Sequence, residues 1–324
     1  MNRAYFARRF AMALLAIGVA VVLNFLLIHL MPGNPAQRFY ADPRVPPEVK
    51  EEIIRLFGLD KPLWSQFLLY IRNVFRGELG ISFTTQRPVL QVIAERIPWT
   101  LAITLIPTLA AIACGIWVGL WAAWRRGGIT DFLLRTLGTA ASSIPSFWLA
   151  MLLVMVFAYR ARIFPLMGMV KPGLSLSERP WAFIGSVAYH AVLPMLTLFV
   201  LSMPGYALAM RNAVISILGE NYILAAQSKG ISQRTLLWRH VLKNAVLPLI
   251  SMFSLSLVGV IGGAVLVEQV FSWYGMGLLM IRAAQARDFP LVQAAALFTI
   301  VLTIAANFVA DLVQAWIDPR IRYG

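Results

Sequence analysis

Charge is what this sequence has least of. Asp, Glu, Lys and Arg make up 13% of its 324 residues, where a soluble domain carries about a quarter. Cysteine is nearly absent: Cys114 stands alone, which excludes an intramolecular disulfide and a cysteine metal cluster. The three histidines, His29, His190 and His240, are scattered without H-E-x-x-H or any other ligand spacing. None of the five lysines (Lys50, Lys61, Lys171, Lys229, Lys243) precedes Ser or Thr, so no Walker A phosphate loop is present. A G-x-S-x-G nucleophile elbow is missing as well. These gaps exclude ATP hydrolysis by this polypeptide alone and leave no constellation for covalent catalysis. No catalytic, cofactor or metal site is expected on the chain.

What is abundant is apolar surface, at 60% of residues. Because the charges cluster, they leave uninterrupted apolar windows of about 20 residues, enough to cross a hydrocarbon core of about 30 Å. Six are read: Phe10 to Met31, Trp99 to Trp124, Thr136 to Tyr159, Tyr189 to Met210, Ala245 to Val267 and Leu291 to Ala310. Backbone amides in lipid must be satisfied within their own segment, so each window is predicted to be a helix. Pro107, Pro145, Pro194 and Pro204 are expected to kink or locally unwind theirs. The basic opening "MNRAYFARRF" resembles a secretory signal, but the apolar stretch after it is longer than a signal core and no A-x-A pattern follows. It is read as a retained span. The expected fold is therefore an all-α integral membrane protein of six transmembrane helices.

Six spans place both termini on one side. On that side lie Arg3, Arg8, Arg9, Arg125, Arg126, Arg135, Arg211, Lys229, Arg234, Arg239, Lys243, Arg320 and Arg322. The short opposite loops hold only Arg160, Arg162, Lys171, Arg179, Arg282 and Arg287. This asymmetry predicts cytoplasmic termini. The formal charge of +14 is read as topology-setting arginine facing anionic lipid headgroups, not as a nucleic-acid footprint.

Between the first two spans, segment 32–98 is expected to carry two helices outside the lipid. One is opened by Pro47 and closed by Gly58; the other runs from Pro62 to Arg76 and is stopped by Gly77. Leu63, Phe67, Tyr70, Ile71, Val74 and Phe75 give the second an apolar face, either packed on the bundle or the interface, or offered to an outer partner. Two G-x-x-x-G patterns, Gly115–Gly119 and Gly259–Gly263, predict close helix approach.

Carboxylates are missing from the middle of the spans, which argues against a proton-coupled carrier. Polar groups at membrane depth are hydroxyls: Ser142, Ser143, Thr104, Thr108, Ser251, Ser254 and Ser256. Each fits either a helix-packing hydroxyl or a contact along a solute pathway. The chemistry of the spans thus leaves a conduit driven from outside the chain, or a stand-alone secondary transporter or channel.

The stretch "NYILAAQSKGISQRTLLWRHVLKNAVLP" (221–248) bears on that choice. It reads as a short helix ended by a left-handed Gly230, then a second helix capped by Ser232 and running to Lys243. Ala225 and Ala226 have so little bulk that a groove in another protein could close over them. The segment resembles the loop of inner-membrane permease subunits of binding-protein-dependent ABC importers. The likeness is to the first permease of the dipeptide/oligopeptide class. That class's E-D-Y-x-x-x-A-x-x-K-G-x-S pattern meets Glu220, Tyr222, Ala226, Lys229, Gly230 and Ser232, with Asn221 for Asp. Of the wider Glu-Ala-Ala-x-x-x-Gly signature, Ala225, Ala226 and Gly230 match, and Leu224 replaces the glutamate. "HLMPGNPA", "GELGISF", "VEQVFSWYGMG" and "DPRIRYG" resemble further blocks in order, with Tyr274 where proline is the rule.

The resemblance implies a type I importer permease fold with a helical extracytoplasmic insertion (residues 1–98) and a core permease region (residues 99–324) bearing a coupling loop at 212–244. It implies a bacterial inner-membrane location and several partners. These are a second, unlike permease subunit, two cytoplasmic ATPase subunits that hold ATP and Mg, and an extracytoplasmic substrate-binding protein. The ATPase-coupling residues it points to are Glu220, Tyr222, Ala225, Ala226, Lys229, Gly230, Ser232 and Arg234.

Overall fold

A computed structural model describes residues 3–30, 61–262 and 264–317. Among the described residues the regular elements are all helices, and the strand-like pairing there is the isolated bridge between Ile81 and Pro88. The helix expected from Pro47 to Gly58 lies outside the described residues.

Four helices contain stretches long and apolar enough to cross a membrane: Phe6–Leu26, Val89–Trp124, Pro180–Leu218 and Phe289–Val309. The helix runs unbroken through Pro107 in the second and through Pro194 and Pro204 in the third. The 39-residue Pro180–Leu218 helix spans about 58 Å at 1.5 Å per residue, so it continues well beyond a hydrocarbon core.

The window from Thr136 to Tyr159 is not one straight helix. Ile129–Ser143 and Ser146–Arg160 meet at 101°. Ile144 is extended (φ −85°, ψ 122°) ahead of Pro145, because the proline ring disfavours helical geometry in the residue before it and supplies no N–H of its own. The second arm changes at Val154 into a π-helix ending at Arg160. The window from Ala245 to Val267 is helical over Leu247–Gly262 and again from Val265, on either side of position 263, which lies outside the described residues. Four of the six expected spans are thus single membrane-length helices among the described residues, and a fifth is the bent pair at Pro145.

Two compact units are present. The first comprises Leu101–Trp273 with the chain from Val309 onward. Its core joins Tyr206, Met210 and Val214 to Ala111, Leu120 and Ala123, and to Ile223, Leu236, Val241 and Leu249. Gly115 and Gly119 make the approach their spacing predicts. A methyl group on Gly115 would lie 2.7 Å from Tyr206 Cβ, and one on Gly119 2.3 Å from the Ala207 carbonyl oxygen. In the other G-x-x-x-G pair, position 263 is outside the described residues. A buried Asp131 ties the start of the Ile129–Ser143 helix to Arg211.

The second unit comprises Arg3–Thr100 and Tyr274–Phe308. Val89, Val92 and Ile93 pack against Met276, Leu279, Leu291 and Ala295. The Leu63–Arg76 helix ends as expected at Gly77, in left-handed geometry (φ 72°), with Glu78 N–H donating to the Asn73 carbonyl at 2.9 Å. Its orientation differs from a simple apolar-in arrangement. Gln66, Tyr70 and Asn73 are buried, while Leu63, Trp64, Leu68 and Phe75 are exposed. Tyr70 faces inward because Asn24 donates to its hydroxyl at 2.9 Å and Phe25 packs on its ring.

Candidate functional site

The basic elbow begins where the Pro180–Leu218 helix stops. Gly219 and Glu220 turn the chain, their N–H groups donating to the Ser216 and Ile217 carbonyls at 3.2 and 3.0 Å. Glu220 then takes extended geometry (φ −78°, ψ 142°) as N-cap of the Asn221–Ser228 helix. Gly230 follows at φ 73° and donates its N–H to the Gln227 carbonyl at 2.9 Å. A left-handed residue here reverses the chain, and glycine adopts it without a Cβ clash. Ser232 caps the next segment, its Oγ accepting from Thr235 N–H at 3.4 Å. That segment is not the plain helix expected up to Lys243. Gln233–Thr235 is α-helical, Leu236–Val241 is π-helical, and Leu242–Ala245 returns to α-helix.

Which side each residue faces follows from helix spacing. Ile223 and Ala226, three apart, lie on one face and are buried in the core of the first unit, joined by Leu236 and Val241 from the returning segment. The opposite face presents Tyr222, Leu224, Ala225, Ser228 and Lys229 to the exterior. Glu220, Gly230, Ser232 and Arg234 are exposed beside it. The two motif alanines therefore have different surroundings: Ala226 packs into the chain's own core, and Ala225 is available to a partner.

Two contacts in the elbow were not foreseen. Asn244 Nδ2 donates to the Tyr222 hydroxyl at 3.1 Å, clasping the returning helical segment of the elbow to its first helix. Trp238 meets Trp117 edge to face at 5.6 Å, fixing the π-helical segment against the Val89–Trp124 helix. The first had a faint signal, since Tyr222 and Asn244 were both polar groups on otherwise apolar helices. The second had none, because the π-turn sets where Trp238 points.

The hydroxyls expected along a pathway are placed apart from the elbow. Ser142 and Ser143 are exposed, and both donate to the Thr139 carbonyl, at 2.7 and 3.2 Å. Thr108 donates to the Thr104 carbonyl at 2.7 Å. Ser251 is half-buried, and the side chain of Ser254 lies outside the described residues. Ser256 donates to the Met252 carbonyl at 2.8 Å and shares a 2.6 Å hydrogen bond with the buried Tyr206 hydroxyl. Among the described residues no group of three or more His, Cys, Asp or Glu is arranged to hold a metal.

Helices of membrane length, with an elbow rooted in the core of the first unit and exposed on its other face, have the build of a membrane-embedded transport subunit. The family described as "Binding-protein-dependent transport system inner membrane component" matches residues 111–323, and its N-terminal counterpart matches residues 1–104. The chain belongs to this family, whose members are the non-catalytic permease subunits of ABC importers.

Among curated relatives, a di/tripeptide transport system permease of Pseudomonas aeruginosa is 33% identical, with 98% of each chain covered. An oligopeptide transport system permease of Bacillus subtilis is 31% identical, with 99% of each covered. A glutathione transport system permease of Escherichia coli is 35% identical, with 94% of each covered. Of solved structures, the MetNI methionine ABC transporter in an inward-facing conformation aligns with a TM-score of 0.54 at 18% identity. The match covers 71% of this chain and 98% of that one, and it supports the permease fold.

Proposed function

We propose that the chain is one of two unlike permease subunits of an ATP-driven importer for di- or oligopeptides. Residues 1–98 would supply the first span and an outer segment, and residues 99–324 the core permease. The observation that carries the substrate class is the near full-length similarity to permeases named for dipeptides, tripeptides and oligopeptides. The chain sits in a bacterial inner membrane with both termini in the cytoplasm, as the arginine asymmetry of its loops supports.

The elbow faces the cytoplasm and seats in a groove of a separate ATPase, which holds ATP and Mg. Tyr222, Leu224, Ala225 and Lys229 form the contact, with Glu220, Ser232 and Arg234 at its rim. Closure of the ATPase pair then pulls the Asn221–Ser228 helix. Ile223 and Ala226 pass the pull into the core around Tyr206, Met210 and Val214, a rigid-body switch driven from another chain. An extracytoplasmic binding protein delivers solute on the opposite side. Solute then passes polar groups that include Ser142, Ser143, Ser251 and Ser254.

Affinity purification of the tagged chain from its native membrane tests this. The expected result is recovery of an ATPase together with a second permease, and uptake of a radiolabelled dipeptide by the reconstituted assembly that stops without ATP. Dipeptide uptake by the chain alone would instead establish a stand-alone carrier.

A further inference from the structure

In the first unit, the last turns of the Val89–Trp124 helix expose a stripe of indoles. Trp117, Trp121 and Trp124, spaced four and three residues apart, share one helical face, and all three are exposed. The elbow adds a fourth ring. Trp238 meets Trp117 edge to face at 5.6 Å, yet the contact leaves Trp117 60% and Trp238 45% exposed. The uncharged run that begins at Ile97 stops at Trp124, and Arg125 and Arg126 follow at once, both exposed. The guanidinium carbon of Arg125 lies 4.4 Å from the centroid of the Trp121 ring.

The opposite face of the same turns is already occupied. Gly115, Gly119, Ala122 and Ala123 are buried. A methyl group on either glycine would meet Tyr206 or Ala207 of the Pro180–Leu218 helix, and Ala122 packs with Ala207. Helices associate in membranes through small residues that let their backbones approach, and that face is the inward one here. The outward face offers Val118 and the indoles instead. An indole has an apolar body and one polar N–H, and such side chains gather where hydrocarbon gives way to headgroups. Bulky amphipathic rings at the end of an uncharged run fit lipid better than they fit another helix.

Charge selects the kind of lipid. Asp131, the acidic residue nearest to the arginine pair in sequence, is turned inward. Its side chain is 2% exposed, and it accepts from Arg211 Nε, Arg211 Nη2 and Gly127 N–H. Arg125 and Arg126 stay at the surface. A cation over a ring engages no hydrogen-bond acceptor, so a stacked guanidinium keeps the planar fork that matches a phosphate.

We propose that Trp117, Trp121, Trp124, Arg125, Arg126 and Trp238 bind the headgroup end of an anionic phospholipid, and that lipid seated there braces the elbow. Trp238 belongs to the π-helical Leu236–Val241 segment, so a lipid lying against Trp117 and Trp238 joins the elbow to a span. The site requires that the chain be embedded in a membrane, and it holds whichever solute the chain carries.

The test uses the full chain, with the subunits that purify with it, in nanodiscs of phosphatidylcholine alone or mixed with phosphatidylglycerol. A photo-crosslinkable phosphatidylglycerol is expected to label the peptides that contain Trp117–Arg126 and Trp238, and the phosphatidylcholine analogue to label them weakly. Arg125→Gln and Arg126→Gln should each cut that labelling by about fivefold, whereas Arg125→Lys/Arg126→Lys should keep most of it. Trp121→Leu should lower it as well. Phosphatidylglycerol should slow amide hydrogen exchange over residues 236–241, and the double Gln variant should lose that slowing. Both arginines are exposed, so melting temperatures in phosphatidylcholine should match the unmodified protein. Asp318, outside the described residues, is an acid of the chain itself, and Asp318→Asn should change nothing. Labelling that appears only in Asp318→Asn would assign the arginines to that carboxylate and overturn the proposal. Equal labelling by the two lipids, undiminished labelling of the double Gln variant, or crosslinks from this face to another polypeptide in place of lipid would overturn it too.

Discussion

Arg211 and Asp131, 80 positions apart, form a forked ion pair in which Nε lies 2.5 Å from Oδ1 and Nη2 lies 3.0 Å from Oδ2. The Asp131 side chain is 2% exposed and that of Arg211 14%. Gly127 N–H donates to the same carboxylate at 2.9 Å, and Arg135 Nε stands 3.7 Å from it. One carboxylate thereby fixes the turn before the Ile129–Ser143 helix and ties that helix to the Pro180–Leu218 helix, close to where the latter leads into the elbow.

Breaking one side of this pair leaves its partner's charge largely buried and without its counter-ion. Asp131→Asn is expected to destabilise the protein by about 3 kcal/mol. The double variant Asp131→Asn/Arg211→Gln should lose less than the sum of the two single changes, since it removes both charges together. Thermal unfolding of the four proteins in nanodiscs checks this, and strictly additive losses would contradict it.

Glycines on the two long helices of the first unit should respond in opposite ways to the same change. Gly119→Ala places a methyl 2.3 Å from the Ala207 carbonyl oxygen and 2.7 Å from Met210 Cβ. The helices must part, at a cost of about 1–3 kcal/mol. Gly185→Ala meets nothing within 4 Å and exchanges a poor helix former for the best one, a gain of up to about 1 kcal/mol. Melting temperatures should fall for the first and hold or rise for the second.

How much of this was legible in the sequence depends on how local its cause is. Gly77 and Gly230 were readable as left-handed stops because glycine is the residue that adopts that geometry freely. Gly115 and Gly119 announced close packing through their spacing alone. Pro145 was visible, but the extent of the break was not. A kink within one span was expected, and the chain turns by 101° because Ile144 is forced into extended geometry as well. Asp131 and Arg211 could not be paired in advance, since nothing in a sequence links residues that meet only through tertiary packing. The orientation of the two alanines lies between these cases: Ile223, three positions before Ala226, was the available sign that Ala226 faces inward.

The Tyr70 phenol should make the second unit sensitive to alkali. Burial holds it above its ordinary value near 10, and the hydrogen bond from Asn24 acts in the opposite direction. Since the folded protein keeps this proton more tightly than the unfolded chain, the associated stability is complete below pH ~10 and is lost as pH rises through the folded value. Tyr70→Phe should lower stability at neutral pH, where the Asn24 amide loses an acceptor, and should make the fall above pH ~10 shallower. Equal alkaline slopes in the two proteins would exclude this role.

The elbow gives the sharpest division between folding and coupling, because adjacent alanines face opposite ways. Ala226 is 8% exposed and packed with Ile223, Leu236 and Val241, so an arginine there must bury a charge or pull the helix out of the core. Ala226→Arg is expected to lower the yield of folded protein and its melting temperature, with transport lost as a consequence. Ala225 faces outward, so Ala225→Arg should leave yield and melting temperature unchanged while obstructing the partner groove. Its signature is a folded assembly whose ATP hydrolysis no longer rises with solute and binding protein. Gly230→Val tests the same surface through the backbone, since its φ of 73° is strained for a β-branched residue although no atom lies within 4 Å of the added carbon. It should cost about 1–2 kcal/mol locally and weaken stimulation without abolishing insertion. Stimulated hydrolysis that persists in Ala225→Arg would remove the Asn221–Ser228 helix from the ATPase contact.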